Sequence, residues 1–250
     1  MDPAVLRDDM VEGLEYGLDE PLDPEVSWAM RTVPRHEFLD EAPYENRPTE
    51  AYGTRVLAPK TAAQFVDALA ADEGDDVLVV GAGIGYTIAV IAEIVGDRHV
   101  HAVDIDRRVV SAARSNLESA GYGDALVDRR DGAEGLPEYA PYDRILLEAA
   151  VVRPPTALLD QLAPEGTIVF PRGMGSQQIV VGERDRSAPG GYRILEEYGL
   201  VQLGPLLAKG ERRTGPARNR TVREDAEFQS QGYFARSGWE YDWVDWEDQL

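Results

Sequence analysis

Cysteine is absent from the 250-residue chain. That removes disulfides, thiolate-bound zinc and cysteine nucleophiles together, and it suits a reducing cytosol. Lysine is nearly absent too: Lys60 and Lys209 are the only two, and every other cation is arginine. Positive charge as a whole is scarce, with 25 Lys+Arg against 46 Asp+Glu and a formal net charge of −21. Such a shortage disfavours non-specific nucleic-acid binding, which rests on neutralising phosphates. An acid-rich, lysine-poor balance also keeps a protein hydrated where concentrated salt screens its self-repulsion. The expectation is a halophilic cytoplasm, the rival reading being a partner with a basic surface. Long apolar runs are missing as well. None approaches the roughly 18–20 residues that span a bilayer, and MDPAVLRDDM lacks a basic region followed by an apolar stretch. Membrane insertion and secretion by these routes are not expected. The histidines His36, His99 and His101 are too scattered for a metal site, with His99 and His101 expected together on one face of a strand.

What is present is enough apolar residue, 43% of the chain, for a full core. Residues 1–32 read as an amphipathic helical preface, with Leu6, Met10 and Leu14 at helical spacing. Residues 43–59 (PYENRPTEAYGTRVLAP) are rich in Pro, Gly and polar groups and read as a long functional loop. A helix follows from about Thr61 to Ala71. From Asp75 onward short apolar strands alternate with helices: strands at Asp76–Val80, His99–Val103, Ala125–Arg129, Arg144–Leu147 and Thr167–Phe170, helices at Tyr86–Val95, Arg107–Ala120 and Pro155–Leu162. This rhythm implies an α/β fold with a doubly wound, mostly parallel sheet. Gln178–Val181 and Tyr192–Tyr198 read as antiparallel edge strands. The rhythm ends near Lys209, so residues 1–208 form the expected main domain and 209–250 an acidic, aromatic C-terminal extension. That extension reads as a terminal segment lying on the body, or as a docking tail for a basic partner.

The chemistry concentrates at Gly81-Ala82-Gly83-Ile84-Gly85-Tyr86, the joint between an expected strand and helix. Glycines there permit a sharp turn and let a ligand approach the main chain. Asp104, followed by Ile105, ends the next strand 23 residues after Gly81, where a carboxylate can accept both hydroxyl hydrogens of a ribose. A dinucleotide fingerprint needs glycine at the sixth position, and here that position is Tyr86. The G-x-G-x-G pattern resembles that of class I S-adenosylmethionine-dependent methyltransferases, which have a Rossmann-like sheet. NAD, or a glycine turn that binds nothing, are the alternatives. Asp131-Gly132 follows the third strand, where this fold presents a side chain to adenine, and Asp143 is placed to brace the fourth strand.

Further matches, in chain order, resemble the protein-L-isoaspartate O-methyltransferase family. VPRHEFL (Val33–Leu39) is similar to its V-P-R-x-x-F segment, YENRP (Tyr44–Pro48) to A-Y-x-D-x-P, and GAGIGY to G-T-G-S-G-Y. DGAEGLPEYAPYDRILLEAA (Asp131–Ala150) follows D-G-x-x-G-x-P-x-x-A-P-Y-D-x-I-x-x-T-A-A, and PPTALLDQLAPEGTIVFPRG (Pro154–Gly173) and VQLGPLLAKG match later family segments. The resemblance covers about residues 30–210. It implies a protein-repair enzyme that moves the methyl of S-adenosylmethionine to the α-carboxylate of isoaspartyl residues in damaged proteins or peptides. It also implies cofactor contacts at Gly81, Ala82, Gly83, Gly85, Tyr86, Asp104, Ile105, Asp131 and Gly132.

Two departures fall where the acceptor should sit. The family's G-Q-T-I-S-Q-P becomes Gly53-Thr54-Arg55-Val56-Leu57-Ala58-Pro59, so Leu57 stands at the position of a serine, with Thr54 able to restore a hydroxyl from a shifted loop. Glu148 stands where the family has threonine. It could pair with Arg55 or Arg153, face away in a salt bridge, or serve a different acceptor such as an amine, hydroxyl or ring nitrogen. Leu57, Glu148 and Thr54 are the candidate acceptor-site residues. PKTAA (Pro59–Ala63) loosely resembles the P-K-D-A-A segment of tRNA adenine-N1 methyltransferases. The alternatives are therefore an RNA or small-molecule acceptor, or a silent cofactor-binding adaptor.

Overall fold

The computed structural model describes residues 2–18, 21–173 and 175–207. Two helices open the chain, α1 (Pro3–Gly17) and α2 (Pro24–Thr32), and both begin on an Asp-Pro pair. Proline needs no amide partner in a first turn, while the preceding carboxylate accepts one orphan N–H: Asp2 from Ala4 and Asp23 from Glu25. Met10, Val11 and Leu14 of α1 and Val26, Ala29 and Met30 of α2 are buried, the stripe that the helical spacing implied. A 3₁₀ turn at Arg35–Glu37 follows.

Segment 43–59, expected as a loop, contains a hairpin of β1 (Thr49–Ala51) and β2 (Thr54–Val56). Its turn residues Tyr52 and Gly53 both have positive φ, 54° and 80°, as tight two-residue hairpin turns of the primed type require. Helix α3 (Pro59–Leu69) then starts two residues earlier than Thr61, on Pro59.

The remaining elements alternate: β3 (Val77–Val80), α4 (Tyr86–Val95), β4 (Val100–Asp104), α5 (Arg107–Ala120), β5 (Leu126–Arg129), β6 (Tyr142–Leu147), α6 (Thr156–Asp160), β7 (Leu162–Arg172), β8 (Gln177–Arg184) and β9 (Tyr192–Val201). They form one seven-stranded sheet in the order β5-β4-β3-β6-β7-β8-β9. The first five in that order are parallel, while β8 and β9 add on antiparallel. Strand β7 outruns the TIVF run at both ends, since β6 pairs with it at Leu162 and β8 pairs with it as far as Arg172.

Strand β3 shows why an unbroken apolar run was needed. Val77 and Val79 enter the core beneath α3 and α4, and Leu78 and Val80 enter the core with Leu158 and Leu159 of α6. A strand covered on both faces has no polar side to present. His99 lies on a 3₁₀ turn before β4, not on the strand, because it is held there by Asp76 at 2.9 Å. His101 is on the strand and is buried against Tyr139 and Tyr142. Asp143 does brace the sheet, accepting from the Asp76 amide at 3.0 Å. Since β4 and β6 leave β3 on opposite sides, the carboxyl ends of these three strands enclose the crevice where open α/β sheets bind ligands.

Candidate active site

That crevice is a cavity of about 580 Å³, within the roughly 300–1,000 Å³ typical of small-molecule sites. Each of the three strands supplies its last residues: Val80 and Gly81 from β3, Val103 and Asp104 from β4, and Glu148 just past β6. Gly81 has φ 99°, and a Cβ added there would stand 3.3 Å from the Cβ of Glu148. Gly85 serves packing, since a Cβ there would lie 3.2 Å from Leu117 Cγ and 3.3 Å from the Ala113 carbonyl of α5. Thus one glycine keeps the crevice open and another lets two helices meet.

Gly81, Gly83, Asp104, Ile105, Gly132, Thr54, Leu57 and Glu148 all line the cavity. Ala82, Gly85 and Tyr86 instead line a recess of about 20 Å³ beside it, roughly the room of one water. Cavity and recess share Arg55, Leu57, Gly83 and Glu148. Asp131 lines neither; its Oδ1 accepts from the Ala133 amide at 3.0 Å and shapes the turn that carries Gly132. A Cβ on Gly132 would lie 2.5 Å from Val80 Cγ1, so glycine is a steric requirement there. The Oδ1 of Asp104 accepts from the Asp106 amide at 3.0 Å, and Asp106 caps α5 through Arg108 at 2.7 Å.

Glu148 points inward, which overturns the reading of an outward salt bridge. Its amide is tied to the Val80 carbonyl at 2.8 Å, and its Oε1 is shut from solvent with no hydrogen-bond partner among the described residues. Burial pushes its pKa up to about 7; the Thr87 side chain and the Arg35 guanidinium oppose that rise and Asp104 adds to it. The guanidinium that acts on it is that of Arg35, a residue the sequence had not offered for this role.

Arg35 is the chief residue that sequence reasoning left unassigned, although VPRHEFL contained it. Only 2% exposed, it donates from Nε to the Pro43 carbonyl at 2.8 Å and from Nη2 to the Leu57 carbonyl at 2.6 Å. Its guanidinium carbon lies 4.2 Å from the Tyr86 ring centroid, a cation–π geometry. Beside it, His36 Nδ1 meets the Tyr44 hydroxyl at 2.6 Å. The two early motifs thus clamp together the loop that leads to Leu57. A second unassigned feature is the wall Leu203–Leu207, which VQLGPLLAKG foreshadowed. It is pinned where Ala150 donates to Gly204 at 2.8 Å and Leu206 donates to Ala150 at 3.0 Å.

A parallel-cored seven-stranded sheet, with a glycine turn and an acidic strand end facing one crevice, is the class I methyltransferase fold. Within that class the chain belongs to the protein-L-isoaspartate(D-aspartate) O-methyltransferase family, whose model matches residues 15–203. It is 38% identical over 210 residues to the protein-L-isoaspartate O-methyltransferase of Methanosarcina mazei, covering 82% of this chain and 84% of that one. The enzyme of Methanococcoides burtonii is 37% identical over 193 residues, covering 75% and 94%. A solved protein-L-isoaspartate O-methyltransferase superposes with a TM-score of 0.66 at 26% identity, over 81% of this chain and 67% of that one. A Plasmodium falciparum structure in complex with S-adenosyl-L-homocysteine shares the fold, with a TM-score of 0.64 at 19% identity, over 79% and 97%.

Proposed function

We propose that this chain is an S-adenosylmethionine-dependent methyltransferase acting on the α-carboxylate of isoaspartyl residues in damaged proteins and peptides. The residues present fit that cofactor: a cavity of about 580 Å³ with a glycine turn that a Cβ would obstruct and a carboxylate at the end of β4. When bound, the cofactor supplies a methyl group on a sulfonium centre. Gly81 and Gly83 allow backbone approach, Asp104 accepts ribose hydroxyls, and Ile105 and the Asp131-Gly132 turn flank the adenine. An acceptor carboxylate is already ionised near neutral pH, so the site needs no strong general base. Its task is to align the reactants and to exclude water.

The observation that carries the reading is the junction of cavity and recess at Arg55, Leu57, Gly83 and Glu148. There the acceptor loop meets the glycine turn, and the exposed Arg55 offers a cation to an incoming carboxylate. Leu57 and Glu148 favour one second reading, a changed acceptor such as an amine, since neither supplies the hydroxyl of the family pattern. RNA is the weaker form of that reading. The chain carries a net charge of −21, and Lys60 of PKTAA spends its ammonium on the Gly17 carbonyl at 2.9 Å.

The acid excess and the scarcity of lysine support a salt-adapted cytoplasmic setting. No helix among the described residues is long and apolar enough to cross a membrane. The 209–250 extension, and with it a docking role for its tryptophans, lies outside the described residues. The test is methyl transfer from labelled cofactor to an isoaspartyl peptide in molar potassium chloride, with the aspartyl peptide as control. Base-labile label on the isoaspartyl peptide alone is expected. Label on neither peptide, with cofactor binding intact, would move the search to amines and other small acceptors.

A further inference from the structure

Three carboxylates line the large cavity: Asp104, Asp106 and Glu148. The first two have structural duties at the start of α5, where Asp104 accepts from the Asp106 amide and Asp106 from that of Arg108. Glu148 differs. Its Oε1 is enclosed and has no donor among the described residues, although a buried carboxylate oxygen without a partner is costly. The groups facing it from each neighbouring element are Arg35 of the 3₁₀ turn, Tyr86 and Thr87 of α4, Asp104 of β4 and Arg55 of β2. Arg35 cannot swing over to complete the pair, because both the Pro43 and Leu57 carbonyls and the Tyr86 ring hold it. The recess behind Glu148 admits nothing larger than about one water.

Glu148 also stands directly over the glycine turn. Its Cβ would be 3.3 Å from a Cβ at Gly81, and its Oε2 lies 3.8 Å from where a Cβ of Gly83 would be. A ligand that approaches this backbone therefore passes against the carboxylate. Of the two ligands in the function proposed above, the acceptor brings an anion, whereas the cofactor carries a net positive charge: an ammonium and a sulfonium against one carboxylate. An enclosed carboxylate with an unmet oxygen is completed by a cation and opposed by an anion.

We propose that Glu148 is the residue that receives the positive charge of the cofactor, so that cofactor binding and ionisation of this carboxyl are coupled. The inference rests on the cofactor named above. Burial keeps the carboxyl substantially protonated near neutral pH while the site is empty, with a pKa of about 7. A cation placed against it favours the ionised form, and the proton leaves to solvent. Affinity should then climb about tenfold between pH 6 and pH 8, the interval over which the empty site gives up that proton. The bound cofactor in turn masks the negative charge from an anionic acceptor, which is how an acid at this position is compatible with an isoaspartyl carboxylate.

The experiment is calorimetric titration of the full chain and of Glu148→Gln with S-adenosylmethionine, at several pH values and in buffers of differing ionisation enthalpy. The free cofactor's amine titrates identically in both experiments, so the difference between the two proteins reports Glu148 together with the bound cation it pairs with. We expect the wild type to release a fraction of a proton per cofactor at pH 7 that the variant does not release, and the variant's affinity to lose the tenfold dependence. S-adenosylhomocysteine keeps the ammonium but lacks the sulfonium. If its affinity falls equally in Glu148→Gln, the ammonium is the partner; if only that of S-adenosylmethionine falls, the sulfonium is. Equal proton counts and affinities in wild type and variant would overturn the role of Glu148 while leaving the cofactor in place. Failure of both proteins to bind would overturn the cofactor as well. A thermal melt of the variant, expected to be at least as stable as wild type, excludes misfolding as the cause of a loss.

Discussion

A carboxyl that prefers its proton is a liability for folding as well as a tool for binding, and at Glu148 both can be measured. Relative to an ordinary value of 4.5, its pKa is raised to about 7 by burial. In that interval the folded, cofactor-free protein holds a proton that the unfolded chain has released. Stability from this group is therefore greatest at low pH and falls as pH rises toward 7. Glutamine has the same shape and nothing to ionise. Glu148→Gln should leave stability nearly unchanged at pH 4.5 and raise it by about 3 kcal/mol at pH 8, because a tenfold difference in proton affinity between folded and unfolded chain is worth roughly 1.4 kcal/mol. Urea unfolding at the two pH values checks this. A gain of the same size at both would mean that packing, not charge, separates the variants. Such a trade of stability for a poised group is what functional sites commonly show.

At the scale of elements, the acceptor loop is held by one guanidinium. Arg35 bridges the Pro43 and Leu57 carbonyls, tying the 3₁₀ turn to both ends of the segment that includes the β1–β2 hairpin. Replacing it by alanine leaves the buried Leu57 carbonyl and the part-buried Pro43 carbonyl without this donor and removes the cation beside Glu148. We expect a loss of about 3–5 kcal/mol, together with faster amide exchange across residues 43–57. Arg35→Lys should recover only part of this, since a point charge cannot reach two carbonyls in a fixed fork. A variant with unchanged exchange in the hairpin would show that the loop is held by other contacts. Gly132→Ala tests a second joint. Its new methyl would press on Val80, and an overpacked core costs about 1–3 kcal/mol in a denaturant titration.

The same elements show what was legible beforehand. The turn from Gly81 to Gly85, Asp104 and the helices Tyr86–Val95 and Arg107–Ala120 could be read because their signals are local: glycines, a strand-end acid, an apolar period. The β1–β2 hairpin could not, since three-residue strands carry no alternation and Tyr52 is an unusual residue to find at positive φ. Arg35 and the Leu203–Leu207 wall stood out only as parts of a family pattern. Their roles depend on carbonyls 8 and 22 residues away for Arg35, and on Ala150 for the wall. Backbone acceptors leave no mark in a sequence, so contacts of this kind come only with coordinates.

Over the whole molecule, a net charge of −21 sets how the protein should respond to salt. Many of its ion pairs are exposed, such as Arg98–Asp124 and Arg47–Glu45, and such pairs contribute little. They cannot offset the repulsion among the remaining acids. Screening can, and its reach shrinks from about 10 Å at 0.1 M to about 3 Å at 1 M. We expect the melting temperature in potassium chloride to climb by roughly 5–10 °C, equivalent to about 2–3 kcal/mol, with most of the gain complete by about 1 M. Salt that acted instead by strengthening apolar burial would keep raising it in proportion to concentration well beyond that point. The shape of the curve therefore separates the two causes. The Oε1 of Glu148 is shut from solvent, so the affinity difference between wild type and Glu148→Gln should survive at about 2 M salt. Its disappearance there would mean that the carboxylate is screened like a surface acid, and that the crevice stays open to solvent when the cofactor binds.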